Sequence, residues 1–153
     1  MPTPEQRLAE LGLAVPEVVA PVAAYVPAVR SGSFVFTSGQ LPKQDDRMQS
    51  VGKVGADVDL ETAKVAARIC ALNALAAVRS VTGDLSAVTR VVKVVGFVAS
   101  APGFTDQPAV VNGASELLLE VFGDIGAHAR SAIGVAALPL DAPVEVELVV
   151  EVG

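Results

Sequence analysis

Arg130 and Glu145 are the two residues of this sequence whose types and surroundings point most directly to chemistry. Arg130 is a lone cation in a run of small apolar residues, Ala129–Val135. Because an unpaired charge among apolar residues is costly, the guanidinium must meet an anion or a set of hydrogen-bond acceptors. Two alternatives follow. Arg130 pairs with a glutamate of its own chain, such as Glu145, or it binds an anionic ligand.

The elements that carry these two residues are predicted to be strands joined by a proline-rich turn, Leu138–Pro143. The run after the turn, Val144–Val152, alternates apolar residues with glutamates. Such a period of two predicts a strand with unlike faces. Its glutamates, 145, 147 and 151, form either a solvated face or the lining of a subunit interface.

The rest of the chain alternates predicted strands and helices in the order β-β-α-β-α-β-β after a short N-terminal helix. Two helices on one face of a mixed sheet are expected from this order. The predicted helices are Pro4–Leu11, a long helix from Asp57 or Asp59 to Val81, and Gln107–Phe122 with Asp106 near its cap. The predicted strands are Tyr25–Arg30, Phe34–Ser38, a short one at Met48–Val51, and Val88–Val98, with a polar loop at Lys43–Arg47.

Composition favours one domain that buries apolar surface against copies of itself. The chain has 153 residues, 52% hydrophobic and only 18% charged, with a mean hydropathy of +0.53. Soluble domains usually carry about 25% charged residues. No stretch reaches about 18 uninterrupted apolar residues, so no membrane span is expected. The N-terminus has no signal-peptide pattern, which favours a cytoplasmic location.

Charge and residue usage argue against nucleic acid and metal. The net charge is −6, the basic residues are scattered, and Trp is absent, so neither a phosphate-binding patch nor a stacking platform is expected. The single cysteine, Cys70, is predicted to be a small buried residue. His128 is the only histidine and is predicted to be a solvated loop residue. No metal and no cofactor are therefore expected.

Two segments of the chain resemble a known family. Arg130-Ser131-x-Ile133-x-Val135-x-x-Leu138-Pro139, followed by Val144-Glu145-Val146, closely resembles the C-terminal motif of the RidA/YjgF family. Its members are called reactive intermediate deaminases, or by an older label L-PSP endoribonucleases. The segment 34–42, Phe-Val-Phe-Thr-Ser-Gly-Gln-Leu-Pro, looks like the family's Thr-Ser-Gly-Gln-Ile-Pro. Tyr25 and Asn112 also fall where the family has Tyr and Asn, so the resemblance spans roughly residues 25–152.

The resemblance implies a fold and an assembly. The family's fold is a chorismate-mutase-like α+β sandwich, assembled as a homotrimer with clefts between neighbouring subunits. The chain is accordingly expected to be a single RidA-like domain over residues 1–153. Residues 1–15 would form a helical extension that the shorter family members lack.

The resemblance also implies a reaction and roles for individual residues. The reaction is hydrolysis of a 2-imino acid or enamine to a 2-keto acid and ammonia, without a cofactor. Arg130 would hold the substrate carboxylate by a bidentate contact, and Glu145 would position the attacking water with the carbonyl of Ala132. The adjacent subunit would contribute Tyr25, Ser38 and Gly39 to the cleft, and Asn112 would lie near its wall.

Two departures from the family pattern keep other functions open. Many deaminating members have Cys at the position of Ala132 and Glu at that of Gly134; the glycine is expected to widen the cleft or change its substrate. A trimer that binds small carboxylates without hydrolysing anything is the main alternative. An endoribonuclease, as in the older label, is disfavoured by the acidic composition.

Overall fold

The computed structural model describes residues 1–18 and 24–153. The helices are α1 (Pro4–Glu10), α2 (Leu60–Thr82) and α3 (Gln107–Phe122). The strands are β1 (Ala28–Ser31), β2 (Phe34–Thr37), β3 (Lys43–Gln44), β4 (Arg47–Met48), β5 (Val88–Ala99), β6 (Ala129–Val135) and β7 (Val144–Val152).

Five of the strands form one mixed sheet in the order β1-β2-β7-β5-β6. Only β5 and β6 run parallel; the other neighbours are antiparallel. The register sets Arg130 opposite Val94 of β5, and it sets Glu145 opposite Phe97. Because side chains alternate along a strand, residues 94 and 97 point to opposite faces, and so do their partners.

The α+β architecture is as predicted, with α2 and α3 on one face of the sheet. The apolar residues of β7, from Val144 to Val152 at every second position, are buried beneath the helices, and the glutamates lie half-buried on the other face. The core is built from small side chains of α2, valines of the sheet, and leucines of α3. We call the face without helices the open face.

The ends of the long helix follow from local chemistry. The Asp59 side chain accepts a hydrogen bond from the Thr62 N–H, and Gly83 adopts a left-handed conformation at the C-terminal end, which are the usual caps for these positions. Val65 is 58% exposed on the outer side of the helix. The buried side of α2 includes Ala63, Ala66 and Cys70.

By length and composition, helix α2 is also long and apolar enough to cross a membrane, yet most of its apolar stretch is buried inside the protein. That burial is the pattern of a core helix. Among the described residues it is the one helix with that length and composition.

One local prediction is corrected, and a second is confirmed. The segment 43–48 is a small hairpin of β3 and β4 rather than a loop followed by a strand at Met48–Val51, since Asp45 and Asp46 both take positive φ angles and close a two-residue turn. Asp106 is the N-cap residue of α3, but within the described chain its side chain makes no capping hydrogen bond.

The N-terminal helix packs onto the domain. Leu8 is fully buried, and the Glu5 carboxylate accepts a hydrogen bond from the Leu85 N–H at 3.0 Å. The predicted strand Tyr25–Arg30 begins only at Ala28, after an exposed segment that contains Tyr25.

Candidate functional site

Arg130 reaches from β6 onto one side of helix α3. Its Nη1 donates to Asn112 Oδ1 at 2.7 Å and to Ser115 Oγ at 3.3 Å, and its Nη2 donates to the Pro108 carbonyl at 3.4 Å. The three acceptors lie on one face of the helix because they are spaced by four and three residues. Asn112 is thus placed beside Arg130.

All three partners of Arg130 are neutral acceptors. Within residues 1–18 and 24–153, no carboxylate lies within 4.0 Å of the guanidinium. A guanidinium has five N–H donors, and the hydrogen bonds above use three of them, two on Nη1 and one on Nη2. The two that remain, on Nε and Nη2, are the number that a bidentate carboxylate contact takes.

Glu145 lies elsewhere, on the open face of the sheet. Its side chain is half-buried, and within the described part of the chain it makes neither a hydrogen bond nor an ion pair. Burial, and then the nearby Glu147 carboxylate, raise the pKa of Glu145 above that of an ordinary glutamate. The structure therefore holds a carboxyl group that takes up a proton more readily than one in water.

Gly39 is packed directly against Glu145. A Cβ atom added at Gly39 would collide with Glu145 Oε1 and would lie 2.8 Å from its Cδ. The neighbouring Gln40 fixes this arrangement, because its backbone exchanges hydrogen bonds with Val146 at 2.8 and 3.0 Å. Gln40 is 5% exposed and was not singled out from the sequence, although it belongs to the Thr-Ser-Gly-Gln motif.

Ser38, next to Gly39, holds the segment that carries Tyr25 through two hydrogen bonds. The Ser38 hydroxyl donates to the Val26 carbonyl at 2.6 Å, and its N–H donates to the Pro27 carbonyl at 2.8 Å. The Tyr25 side chain is 47% exposed, so Tyr25 is not a core aromatic. Tyr25, Ser38, Gly39 and Glu145 belong to one local group, which we call the Glu145 half-site.

The second group, which we call the Arg130 half-site, consists of Arg130, Asn112, Ser115 and Ala132. Ala132 lies two residues along β6, opposite Gly96 of β5, and packs partly buried on the helix side. Arg130 and Glu145 are separated by β5 and point to opposite faces of the sheet. The hypothesis that Arg130 pairs with Glu145 of its own chain is therefore wrong.

Two further predictions have outcomes here. His128 is not a solvated loop residue: its ring lies part-buried between the Gly126 carbonyl and the Ser115 hydroxyl. Cys70 is fully buried, as predicted, and burial, then the Glu145 charge, raise the pKa of its thiol well above the usual value.

The space at Gly134 is partly filled by another side chain. A Cβ atom at this position would lie 2.7 Å from Gln107 Nε2 and 3.1 Å from Ser100 Oγ. The Gln107 amide is held by hydrogen bonds to Ser100 Oγ and the Phe104 carbonyl. An amide therefore stands beside the strand at a position where many family members carry a carboxylate.

Metal ligation finds no support in the described residues. No group of three or more His, Cys, Asp or Glu side chains lies close enough together there to hold an ion. The arrangement offers instead a cation with two unused donors, a half-buried carboxyl group, and polar backbone around it. Such groups can bind a small carboxylate and orient a water molecule.

Comparison with known proteins decides the family. Residues 5–152 match the family model described as "YjgF/chorismate_mutase-like, putative endoribonuclease". This chain belongs to the YjgF family. The match begins within α1, so most of the N-terminal helix lies inside the matched region rather than outside it.

Three relatives place the chain within the family. It is 47% identical to "Protein TCP17" of Trypanosoma cruzi over 146 residues, which cover 95% of this chain and 91% of that one. The crystal structure of Atu1372 from Agrobacterium tumefaciens is similar with a TM-score of 0.92 and 46% identity, covering 98% and 92% of the two chains. That of a "putative endoribonuclease" from Shewanella oneidensis is similar with a TM-score of 0.96 and 34% identity, covering 99% and 100%.

Proposed function

We propose that this YjgF-family protein hydrolyses small 2-imino acids, or enamines that tautomerise to them, in the cytoplasm. Water adds to the carbon of the C=N bond, the nitrogen leaves as ammonia, and a 2-keto acid remains. The reaction requires a held carboxylate and an oriented water molecule. It changes no oxidation state, so it needs no electron carrier.

The observation that carries this proposal is the state of Arg130. Its guanidinium is held by three neutral acceptors and, among residues 1–18 and 24–153, keeps two donors unused. The positive charge is therefore fixed in position without being neutralised by a carboxylate among the described residues. A cation arranged in this way favours a planar, bidentate anion such as a carboxylate.

Glu145 is the group that we propose orients the attacking water. A half-buried carboxyl group with a raised pKa is closer to the operating pH, which suits a general base or acid. Gly39 leaves room beside it for the carboxylate, and the adjacent Ser38 holds the segment that carries Tyr25 through its hydrogen bond to Val26.

A second copy of the chain must complete this site. In one chain the two half-sites lie on opposite faces of the sheet, so they cannot act on one small molecule. The open face also carries exposed apolar side chains; Val29, Phe36 and Ile133 are 52%, 47% and 45% exposed. We propose that copies associate as a homotrimer in which the β6 edge of one chain, with its Arg130 half-site, lies against the open face of the next chain, with its Glu145 half-site.

The test is a hydrolysis assay on imines formed in the reaction vessel from an L-amino acid by an amino-acid oxidase. We expect wild-type protein to release keto acid faster than the spontaneous rate. Glu145→Gln should slow this release by about 10²–10⁴-fold, the usual cost of losing a positioned general base. Glu147→Gln, two residues along the same face, is the matched control and should keep most of the activity.

The same assay separates the alternatives. Wild-type protein that binds a 2-keto acid but adds nothing to the spontaneous rate would be a binding trimer, which the departures at Ala132 and Gly134 allow. Cleavage of RNA by wild-type protein but not by Glu145→Gln would support the activity in the family description. The net charge of −6 argues against that result.

A further inference from the structure

His128, the single histidine, is bound at both ring nitrogens. Nδ1 lies 2.6 Å from the Gly126 carbonyl oxygen, and Nε2 lies 2.8 Å from Ser115 Oγ. A carbonyl oxygen can only accept, so Nδ1 carries the proton in the neutral ring. Nε2 is then an acceptor, and the Ser115 hydroxyl donates to it.

The direction of these hydrogen bonds continues to Arg130. Because the Ser115 hydroxyl gives its proton to His128, its lone pairs are available to Arg130 Nη1, which lies 3.3 Å away. Arg130 donates to Ser115, Ser115 to His128, and His128 to Gly126. Hydrogen bonds that run donor to acceptor in one direction strengthen one another. This hydrogen-bond chain also links the guanidinium to the backbone that precedes β6.

This hydrogen-bond chain restricts the orientation of the guanidinium plane, which the contact with Asn112 alone does not. The short bond from Nη1 to Asn112 Oδ1 fixes one atom of the guanidinium but leaves its plane free to rotate about that contact. The Ser115 bond to the same nitrogen, together with the Pro108 carbonyl on Nη2, defines the plane. A bidentate carboxylate contact depends on that plane.

We propose that Ser115 and His128 are positioning residues that hold the Arg130 guanidinium in the orientation needed for a carboxylate ligand. The inference rests on the proposed function for the identity of the ligand. The hydrogen-bond chain itself is a property of the ligand-free protein. The competing interpretation is that His128 only fastens the turn at Gly126 to helix α3.

Two amide substitutions distinguish these interpretations. The amide oxygen of His128→Gln reaches the position of Nε2 and can accept from Ser115, whereas the amide of His128→Asn lies near Nδ1 and can donate to Gly126. Calorimetry with pyruvate as the probe should show His128→Gln close to wild type. His128→Asn and Ser115→Ala should bind about tenfold more weakly, as expected for one lost hydrogen bond to a charged group. Ser80→Ala is the control, since Ser80 is exposed on α2 and donates only to Ala77 within its helix.

The opposite ranking of the two His128 variants in pyruvate affinity would overturn the proposal. If His128→Asn binds pyruvate like wild type and His128→Gln does not, the bond to Gly126 matters and the bond to Ser115 does not. Equal affinity in Ser115→Ala and wild type would likewise remove the role of this chain. Circular dichroism of each variant identifies any that has failed to fold.

A measurement without ligand separates this proposal from the proposed function. One histidine gives one imidazole in a ¹⁵N spectrum, so no assignment is needed. In the neutral ring we expect the proton on Nδ1, and both Ser115→Ala and Arg130→Lys should move the Nε2 signal. A proton on Nε2, or an Nε2 signal that Arg130→Lys leaves unmoved, would refute the chain. If the spectrum is as expected but wild-type protein binds no pyruvate, the proposed function fails and the hydrogen-bond chain stands.

Discussion

A methyl group added at Gly39 should disturb the Glu145 half-site and leave the Arg130 half-site intact. The three heavy atoms nearest to an added Cβ all belong to the Glu145 side chain. The backbone at Gly39 does not take a positive φ angle, so alanine fits the main-chain conformation. Gly39→Ala therefore acts on the position of one carboxylate.

The size of the effect follows from the distances. The added Cβ would lie 2.8 Å from Glu145 Cδ and 3.0 Å from Cγ, whereas ordinary contacts begin at 3.4 Å. The carboxyl carbon must retreat by about half an ångström, and Oε1 by more. Misplacement of a catalytic group by about 1 Å can cost about 10²-fold in rate, so we expect kcat to fall by about 10- to 100-fold. The added methyl group overpacks the folded state, which lowers the free energy of unfolding. It also stiffens the unfolded chain, which raises the free energy of unfolding. The net change should be about 2 kcal/mol or less.

The assay is imine hydrolysis, with pyruvate binding measured in parallel. We expect kcat to fall while pyruvate affinity stays near wild type, because the carboxylate contact belongs to Arg130. Gly153→Ala is the control for an added methyl group, since Gly153 is exposed directly after β7 and its Cβ would meet only the Thr89 side chain. The double variant Gly39→Ala/Glu145→Asp shortens the acid by one methylene and should recover part of the lost rate.

Full kcat in Gly39→Ala would refute the reasoning, because it would mean that the position of the Glu145 carboxylate does not limit the reaction. Loss of pyruvate affinity with kcat unchanged would contradict it equally. That result would assign Gly39 to ligand binding and remove the separation into two half-sites.

Four other predictions concern charge and assembly. Arg130→Lys should weaken pyruvate binding by about tenfold or more in calorimetry, since lysine keeps the charge but loses the planar fork; unchanged affinity would give Arg130 a structural role. Because the pKa of Glu145 is raised, its carboxylate becomes protonated at a higher pH than that of an ordinary glutamate. As the pH is lowered, the hydrolysis rate should therefore begin to fall at a higher pH than an ordinary glutamate would give. For the same reason the folded state favours protonated Glu145, so Glu145→Gln should raise the free energy of unfolding in urea at pH 7 and change it little at pH 4; destabilisation at pH 7 would show that the carboxylate has a favourable partner. Light scattering should give about three times the chain mass of 15.6 kDa, and a monomer would remove the shared site.

The sequence by itself determined the main elements and the family. Period-two alternation in Val144–Val152 and the aspartate and glycine at the ends of α2 are local signals, because strand faces and helix caps depend on residues only a few positions apart. The Arg130 and Glu145 motif was readable for the same reason, since its residues lie in two strands that follow one another in the chain.

Only the tertiary structure decided which groups meet. Arg130 and Glu145 are fifteen residues apart in sequence, yet the insertion of β5 between their strands and the odd register across it place them on opposite faces. The acceptors of Arg130 come from α3, and Glu145 meets Gly39 from a segment more than one hundred residues away. His128 was misjudged for the same reason, since its partner Ser115 lies on another element. Strand order and helix packing are set by burial of the whole apolar surface, and no local pattern encodes that choice.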